Sequence, residues 1–126
     1  MNDKKRVLVV EDEVDVRTYI STLFQDQGYG ILTAENGKEG FELAIKEKPD
    51  LITLDIAMPS QSGMRTFRMF KDSEELKSIP VIIITGMGED VSSFIKRLKG
   101  FSSQPEGFMG KPIDEEKLIK MVSDLI

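Results

Sequence analysis

Asp55 closes the apolar run Leu51-Ile52-Thr53-Leu54 and is followed at once by Ile56-Ala57-Met58-Pro59. A carboxylate carried to the end of a buried strand could act as a nucleophile toward a phosphoryl group and form an acyl phosphate. A second set of acids, Glu11-Asp12-Glu13, closes the apolar run Val7-Leu8-Val9-Val10. Carboxylates gathered at one edge repel each other and raise one another's pKa. An oxygen-loving divalent cation would relieve that repulsion. Magnesium typically takes one or two carboxylates, keeps several waters and adds phosphate oxygens from a substrate. Thr85 and Lys111 close two further candidate strands. One offers a hydroxyl that can donate to a phosphoryl oxygen, the other an ammonium that can act as a point charge for phosphate. Gly86, beside Thr85, is expected to leave room for such a group.

Each residue has a plainer reading when taken alone. Glu11-Asp12-Glu13 could be a solvated acidic helix start favoured by the helix dipole. Asp55 could merely turn the chain, Thr85 finish a strand, and Lys111 sit in solvent. Shared chemistry requires convergence, and convergence depends on the elements that carry these residues.

Strand and helix signals alternate from end to end. After the first strand, Val16, Ile20, Leu23 and Phe24 recur at helical spacing, and Gly28 closes that helix. Ile31 to Ala34 reads as a second strand. Asn36 and Glu39 have the spacing of a capping box, Phe41, Ala44 and Ile45 give the next helix its apolar face, and Pro49 stops it. The strand ending in Asp55 is third. A helix from about Met64 turns Phe67 and Phe70 inward. Val81 to Ile84, ending in Thr85, is the fourth strand. Asp90 is expected to cap a helix carrying Val91, Phe94, Ile95 and Leu98 on one face. After a long loop from Gly100 to Gly107, the stretch Gly107-Phe108-Met109-Gly110 reads as a glycine-diluted fifth strand. Lys111-Pro112 follows it. Asp114 caps a last helix with Leu118, Val122 and Leu125 inward.

This is a (βα)5 α/β pattern, which predicts a doubly wound parallel sheet with helices on both faces and right-handed crossovers. The common five-stranded order 2-1-3-4-5 places its switch point between strands 1 and 3. Strand order alone therefore brings Glu11 and Asp12 beside Asp55, at the carboxyl edge where ligands of such sheets bind. Residues 1–126 are read as one domain without internal repeats or linkers.

Composition narrows the chemistry. The sequence has no histidine and no cysteine, which excludes the usual zinc and copper sites and leaves oxygen-held metals, magnesium or calcium. The net charge of −5, with no long basic run, predicts no nucleic-acid binding by this domain alone. No apolar run is long enough to span a membrane, Asn2 to Arg6 leads straight into a strand without a signal peptide, and the lack of cysteine fits a cytoplasmic location.

Taken together, Val-Val-Glu-Asp-Glu (9–13), Leu-Asp-Ile-Ala-Met-Pro (54–59) followed by Gly63, Ile-Ile-Ile-Thr-Gly (82–86) and Lys-Pro (111–112) resemble the receiver domain of two-component response regulators. The resemblance covers essentially the whole chain and implies a flavodoxin-like fold. It implies that Asp55 is the phosphoacceptor and that Asp12 ligates Mg2+ directly, with Glu11 acting through water. Asp55 and the backbone carbonyl of Ala57 would complete the protein ligands. Thr85 and Lys111 would hold the phosphoryl oxygens, with the Lys111-Pro112 bond cis. Ala57 and Met87 would tune hydrolysis. The donor would be a sensor histidine kinase or a histidine phosphotransfer protein. The domain would be no enzyme in the turnover sense, but a phosphoprotein that assists its own phosphorylation and dephosphorylation.

The resemblance further implies a switch. Thr85 moves toward the phosphoryl group, Phe108 turns into the space it leaves, and a face formed by the expected helix at 90–99, the fifth strand and the last helix engages a downstream partner or a second copy. The tyrosine often found at position 108 is here Phe, so any hydrogen bond of that hydroxyl is absent. Three other readings compete. A pseudo-receiver acting as a constitutive interaction module would not need all of Glu11, Asp12, Asp55, Thr85 and Lys111. Magnesium-dependent phosphatases with an aspartyl nucleophile need a second aspartate two residues on, where this chain has Ala57. A flavin protein would need a phosphate-cradling loop after strand 1, where this chain has acids.

Overall fold

The computed structural model describes residues 4–56, 63–86 and 104–126. The elements run β1 (Arg6–Val10), α1 (Val14–Asp26), β2 (Gly30–Ala34), α2 (Gly37–Glu47), β3 (Leu51–Asp55), α3 (Gly63–Asp72), β4 (Val81–Thr85), β5 (Gly107–Gly110) and, as α4, the last helix (Glu115–Leu125). The sheet order is β2-β1-β3-β4-β5, with every pairing parallel. This is the doubly wound α/β arrangement that the alternation predicts. The helix expected at 90–99 and residues 100–103 of the loop before β5 lie outside the described residues.

Local sequence sets the helix ends. At the end of α1 the N–H of Gly28 donates to the Gln25 carbonyl and that of Tyr29 to the Phe24 carbonyl. Gly28 has φ +93°, so the pair forms a Schellman motif. The Phe24 and Tyr29 rings meet edge to face at 6.3 Å and close it with an apolar contact. At the start of α2 the Asn36 side chain accepts from the Glu39 N–H at 2.8 Å. The Glu39 carboxylate reaches back to the N–H of Glu35, one residue earlier than in a standard capping box. Asp114 caps α4 by accepting from the Lys117 N–H.

The strands alternate their apolar residues between two cores. Leu8, Val10, Ile52, Leu54, Val81 and Ile83 pack with Ala44 of α2 and Phe67 and Phe70 of α3. Val7, Val9, Leu51, Ile82, Ile84 and Met109 pack with Ile20 and Phe24 of α1 and Leu118 and Val122 of α4. A fully buried Val, Leu, Ile or Phe contributes roughly 1.5–3 kcal/mol, so β3 and β4, buried at every position, are anchored from both sides. β5 is the weaker edge, with only Met109 buried.

Register then positions the strand ends. Val10 pairs with Leu54, which brings Glu11 level with Asp55. Asp55 pairs with Ile84, and Thr85 with Gly110. The ladder runs one residue past several strands: the N–H groups of Glu11, Ile56 and Lys111 donate to the carbonyls of Ala34, Ile84 and Thr85. The residues that could do chemistry are therefore held by main-chain hydrogen bonds at one edge of the sheet.

Candidate functional site

Glu11, Asp12 and Asp55 each offer a carboxylate oxygen within 4.8 Å of the others. Glu11 and Asp55 are buried, and Asp12 is exposed at the rim. Strand alternation puts Glu11 and Asp55 on the α1–α4 side of the sheet. Lys111 shares that side through Met109, two residues before it. Its Nζ lies 3.4 Å from Asp55 Oδ2 and 3.5 Å from Glu11 Oε1. Both distances exceed that of an ordinary N–H···O bond. The ammonium thus sits between the two carboxylates as a point charge committed to neither.

The surroundings tune these charges. Burial, and then the negative charge of Asp55, push the Glu11 carboxyl up to about 8, against the smaller pull of the Glu13 N–H and of Lys111. Glu11 Oε2 accepts from that Glu13 N–H at 3.2 Å. For Lys111, burial works to lower the pKa, but the charges of Asp55 and Glu11 outweigh it and the net shift is upward. A cluster in which burial first, and the charge of Asp55 second, oppose ionisation of Glu11 is short of positive charge. Its all-oxygen donor set suits magnesium or calcium, so the residues present fit a hard divalent cation.

Thr85 is buried at the end of β4, and its Oγ1 has no hydrogen-bond partner among the described residues. Most buried hydroxyls are satisfied, so an orphan at the sheet edge, on the strand between those of Asp55 and Lys111, suits an incoming acceptor oxygen. Phe108 lies on the same side of the sheet as Thr85. It pairs with Ile83 and packs half-buried against the α2–α3 core. The Lys111-Pro112 peptide bond is cis, as the resemblance leads one to expect.

Gly86 departs from expectation. A Cβ there would meet Cδ, Cβ and Cγ of Lys111 at 2.8, 2.9 and 3.1 Å. The room at Gly86 is taken by the stem of the lysine, and what glycine permits is the lysine's passage over the strand end. Ala57, named as a carbonyl ligand, and Met87 lie outside the described residues.

Two contacts at this edge and its opposite end have no counterpart in the sequence reading. Arg17 of α1 donates from Nη1 to the Glu11 carbonyl at 2.9 Å and braces the turn that carries Glu11 and Asp12. The only available signal was a lone basic residue one turn into an acid-led helix. At the amino ends of β4 and β5, the buried Lys71 pairs with Glu106, whose own side chain is partly exposed, and their separation in sequence gives no pattern to read.

Comparison with known proteins agrees with this geometry. Residues 7–123 match the family model of the response regulator receiver domain. The chain is 31% identical to protein PilH of Pseudomonas aeruginosa over 121 residues, covering 96% of this chain and 97% of that protein. It is 35% identical over 122 residues to the probable transcriptional regulator ycf29 of Porphyra purpurea, covering 95% of this chain but 56% of that longer protein. Among solved structures, the chemotaxis response regulator CheY4 of Vibrio cholerae superposes with a TM-score of 0.84 at 26% identity, covering 98% of this chain and 99% of the other.

Proposed function

Because the chain belongs to the family of response regulator receiver domains, we propose that it is a phosphorylation-dependent switch of a two-component system, with Asp55 as phosphoacceptor and Mg2+ as cofactor. The observation that carries this reading is the convergence at one sheet edge. Lys111 lies between Asp55 and Glu11, and the hydroxyl of Thr85, without a partner among the described residues, stands on the adjacent strand.

An Asp55 carboxylate oxygen attacks the phosphorus of a phosphohistidine on a sensor kinase or phosphotransfer protein. The P–N bond breaks, and the imidazole nitrogen leaves with its electron pair and takes up a proton. Lys111, loosely held in the resting site, is free to follow the phosphoryl oxygens without first breaking a short ion pair. Thr85 supplies a donor whose hydroxyl makes no hydrogen bond among the described residues. Glu11 and Asp12, with Asp55 and the Ala57 carbonyl, would hold the cation. Bound there, Mg2+ neutralises charge on the transferring phosphoryl group.

The response reaches the surface through Thr85 and Phe108, diagonal neighbours on one side of the sheet. The output face is formed by β5, α4 and the chain between β4 and β5, and it meets a downstream partner or a second copy. The domain turns over no external substrate. It assists its own phosphorylation and dephosphorylation, and it works in the cytoplasm without membrane or nucleic-acid contacts of its own.

The test is phosphate incorporation from acetyl phosphate with and without Mg2+, on the wild type and on Asp55→Asn. Magnesium-dependent labelling that disappears in Asp55→Asn is the expected result. A folded, magnesium-binding protein that takes no label would instead be a constitutive interaction module.

A further inference from the structure

Little in the side chains of β5 fixes its register on β4. The strand is Gly107-Phe108-Met109-Gly110, a four-residue edge strand with a glycine at each end and one buried side chain. Strands of this kind are weakly held in register, and a slip of one residue turns every side chain to the opposite face. Register nevertheless decides the site. Lys111 reaches Asp55 and Glu11 because its N–H donates to the Thr85 carbonyl at 2.7 Å and because Met109, two residues back, faces the α1–α4 core.

The far end of β5 carries an ion pair, between a buried lysine and an exposed glutamate, that phosphoryl transfer does not use. Lys71, in the last turn of α3, has a side chain only 4% exposed. It donates to both carboxylate oxygens of Glu106 at 2.9 and 3.0 Å, to the Ile79 carbonyl at 3.2 Å, and more loosely to that of Lys77 at 3.4 Å. Glu106 Oε1 also accepts from the Val81 N–H at 2.7 Å. The Glu106 N–H in turn donates to the Val81 carbonyl at 3.0 Å. Glu106 is thus tied to the first residue of β4 twice and to α3 once, directly before β5 begins. The Glu106 side chain keeps 36% of its surface exposed, so the charge attraction is partly screened and adds little stability by itself. What the pair supplies is position: hydrogen bonds to Lys71 and to both main-chain groups of Val81 fix the level of Glu106 on β4.

We propose that Lys71 and Glu106 are positioning residues that set the register of β5 on β4 and so hold Lys111 over the acidic cluster at the opposite end of the strand. That Lys111 then acts on a phosphoryl group rests on the phosphoacceptor reading; the register does not.

The experiment is residue-resolved amide hydrogen exchange on the full chain for wild type, Glu106→Gln and Glu106→Leu, with acetyl phosphate labelling of the same proteins alone and combined with Lys111→Ala. In Glu106→Leu, exchange should quicken at least tenfold at Lys111, five residues from the substitution, while β1 and β3 keep wild-type protection. Glu106→Gln retains a carbonyl for the Val81 N–H and should change Lys111 exchange by less than threefold. Lys111→Ala should reduce labelling strongly in the wild type and by less than twofold in Glu106→Leu. Unchanged exchange at Lys111 in Glu106→Leu overturns the proposal. So does a loss of protection spread evenly over β1 and β3, which is plain destabilisation. Should Glu106→Leu fail to fold, the apolar pair Lys71→Met with Glu106→Leu restores the buried volume and is read in the same way. A wild type that takes no label sinks the phosphoacceptor reading, and exchange alone then decides the register.

Discussion

Glu11 lies next to Asp55 with its side chain out of water, and its carboxyl is pushed up to about 8, by burial first and by Asp55 second. An acid with a folded pKa above its unfolded value binds more protons folded than unfolded. Its effect on stability is therefore unfavourable and grows as pH rises from about 4.5 to about 8; it is absent below that window and constant above it. The Lys111 shift is upward from 10.5, so its stabilising contribution is fully present and constant across this window and is lost only at more alkaline pH. Without divalent cations, the stability of the wild type should fall relative to Glu11→Gln as pH rises through this window. A gap on the order of 1–3 kcal/mol is expected by about pH 8, allowing for relaxation around the buried group. Urea unfolding of both proteins in chelator, at about pH 5 and about pH 8, reads the gap directly. Parallel stability at the two pH values would mean that Glu11 ionises as an ordinary carboxyl.

At the scale of elements, the ends set by local chemistry were legible in sequence. Gly28, Asn36 and Asp114 each terminate or cap their helix where their residue type predicts. β1 and β2 each begin one residue earlier than their apolar runs. The Gly30 N–H donates to the Lys5 carbonyl, and Arg6 is held by Asp50 and Glu47, partners that hydrophobic periodicity does not register. The join between α2 and α3 was likewise invisible. A Cβ on Gly37 would sit 2.1 Å from Thr66 Oγ1, and that buried oxygen has no hydrogen-bond partner among the described residues. Gly37→Ala should therefore cost about 1–3 kcal/mol through overpacking, although alanine in a helix is otherwise worth about 1 kcal/mol over glycine. In a Thr66→Ala background the two nearest contacts are gone and only the Cβ at 3.1 Å remains, so the same substitution should cost markedly less. A double-mutant cycle by chemical denaturation measures the coupling. Additivity within about 0.5 kcal/mol would show that α2 and α3 can part at little cost.

For the whole molecule, alternation of strand and helix predicted the parallel sheet, and the commonest five-stranded doubly wound order, 2-1-3-4-5, is the one observed. That order brought residues as distant in sequence as Glu11, Asp55 and Lys111 to one edge. The acidic site was legible because carboxyl ends of strands converge by topology, whatever the loops do. The role of Gly86 and the Lys71–Glu106 pair were not legible, since both depend on how one side chain threads past another. Convergence also couples the site to global stability. The three carboxylates come from the loop after β1 and the end of β3, at the centre of the sheet, and they have no common geometry once the sheet unfolds. A cation held there binds the folded chain alone, and at a free concentration a hundred times its dissociation constant it adds about 2.7 kcal/mol to the unfolding free energy. At roughly 3–6 °C per kcal/mol for a domain of this size, Mg2+ should raise Tm by about 8–16 °C. The gain should shrink as pH falls, because the proton that burial and Asp55 place on Glu11 competes with the metal. Asp12→Asn, at the exposed rim, should abolish most of the gain while leaving Tm in chelator nearly unchanged. Differential scanning calorimetry across a magnesium titration would report both effects. A Tm indifferent to Mg2+ in the wild type would leave the acidic cluster without its cation, and with it the phosphoryl chemistry proposed for Asp55.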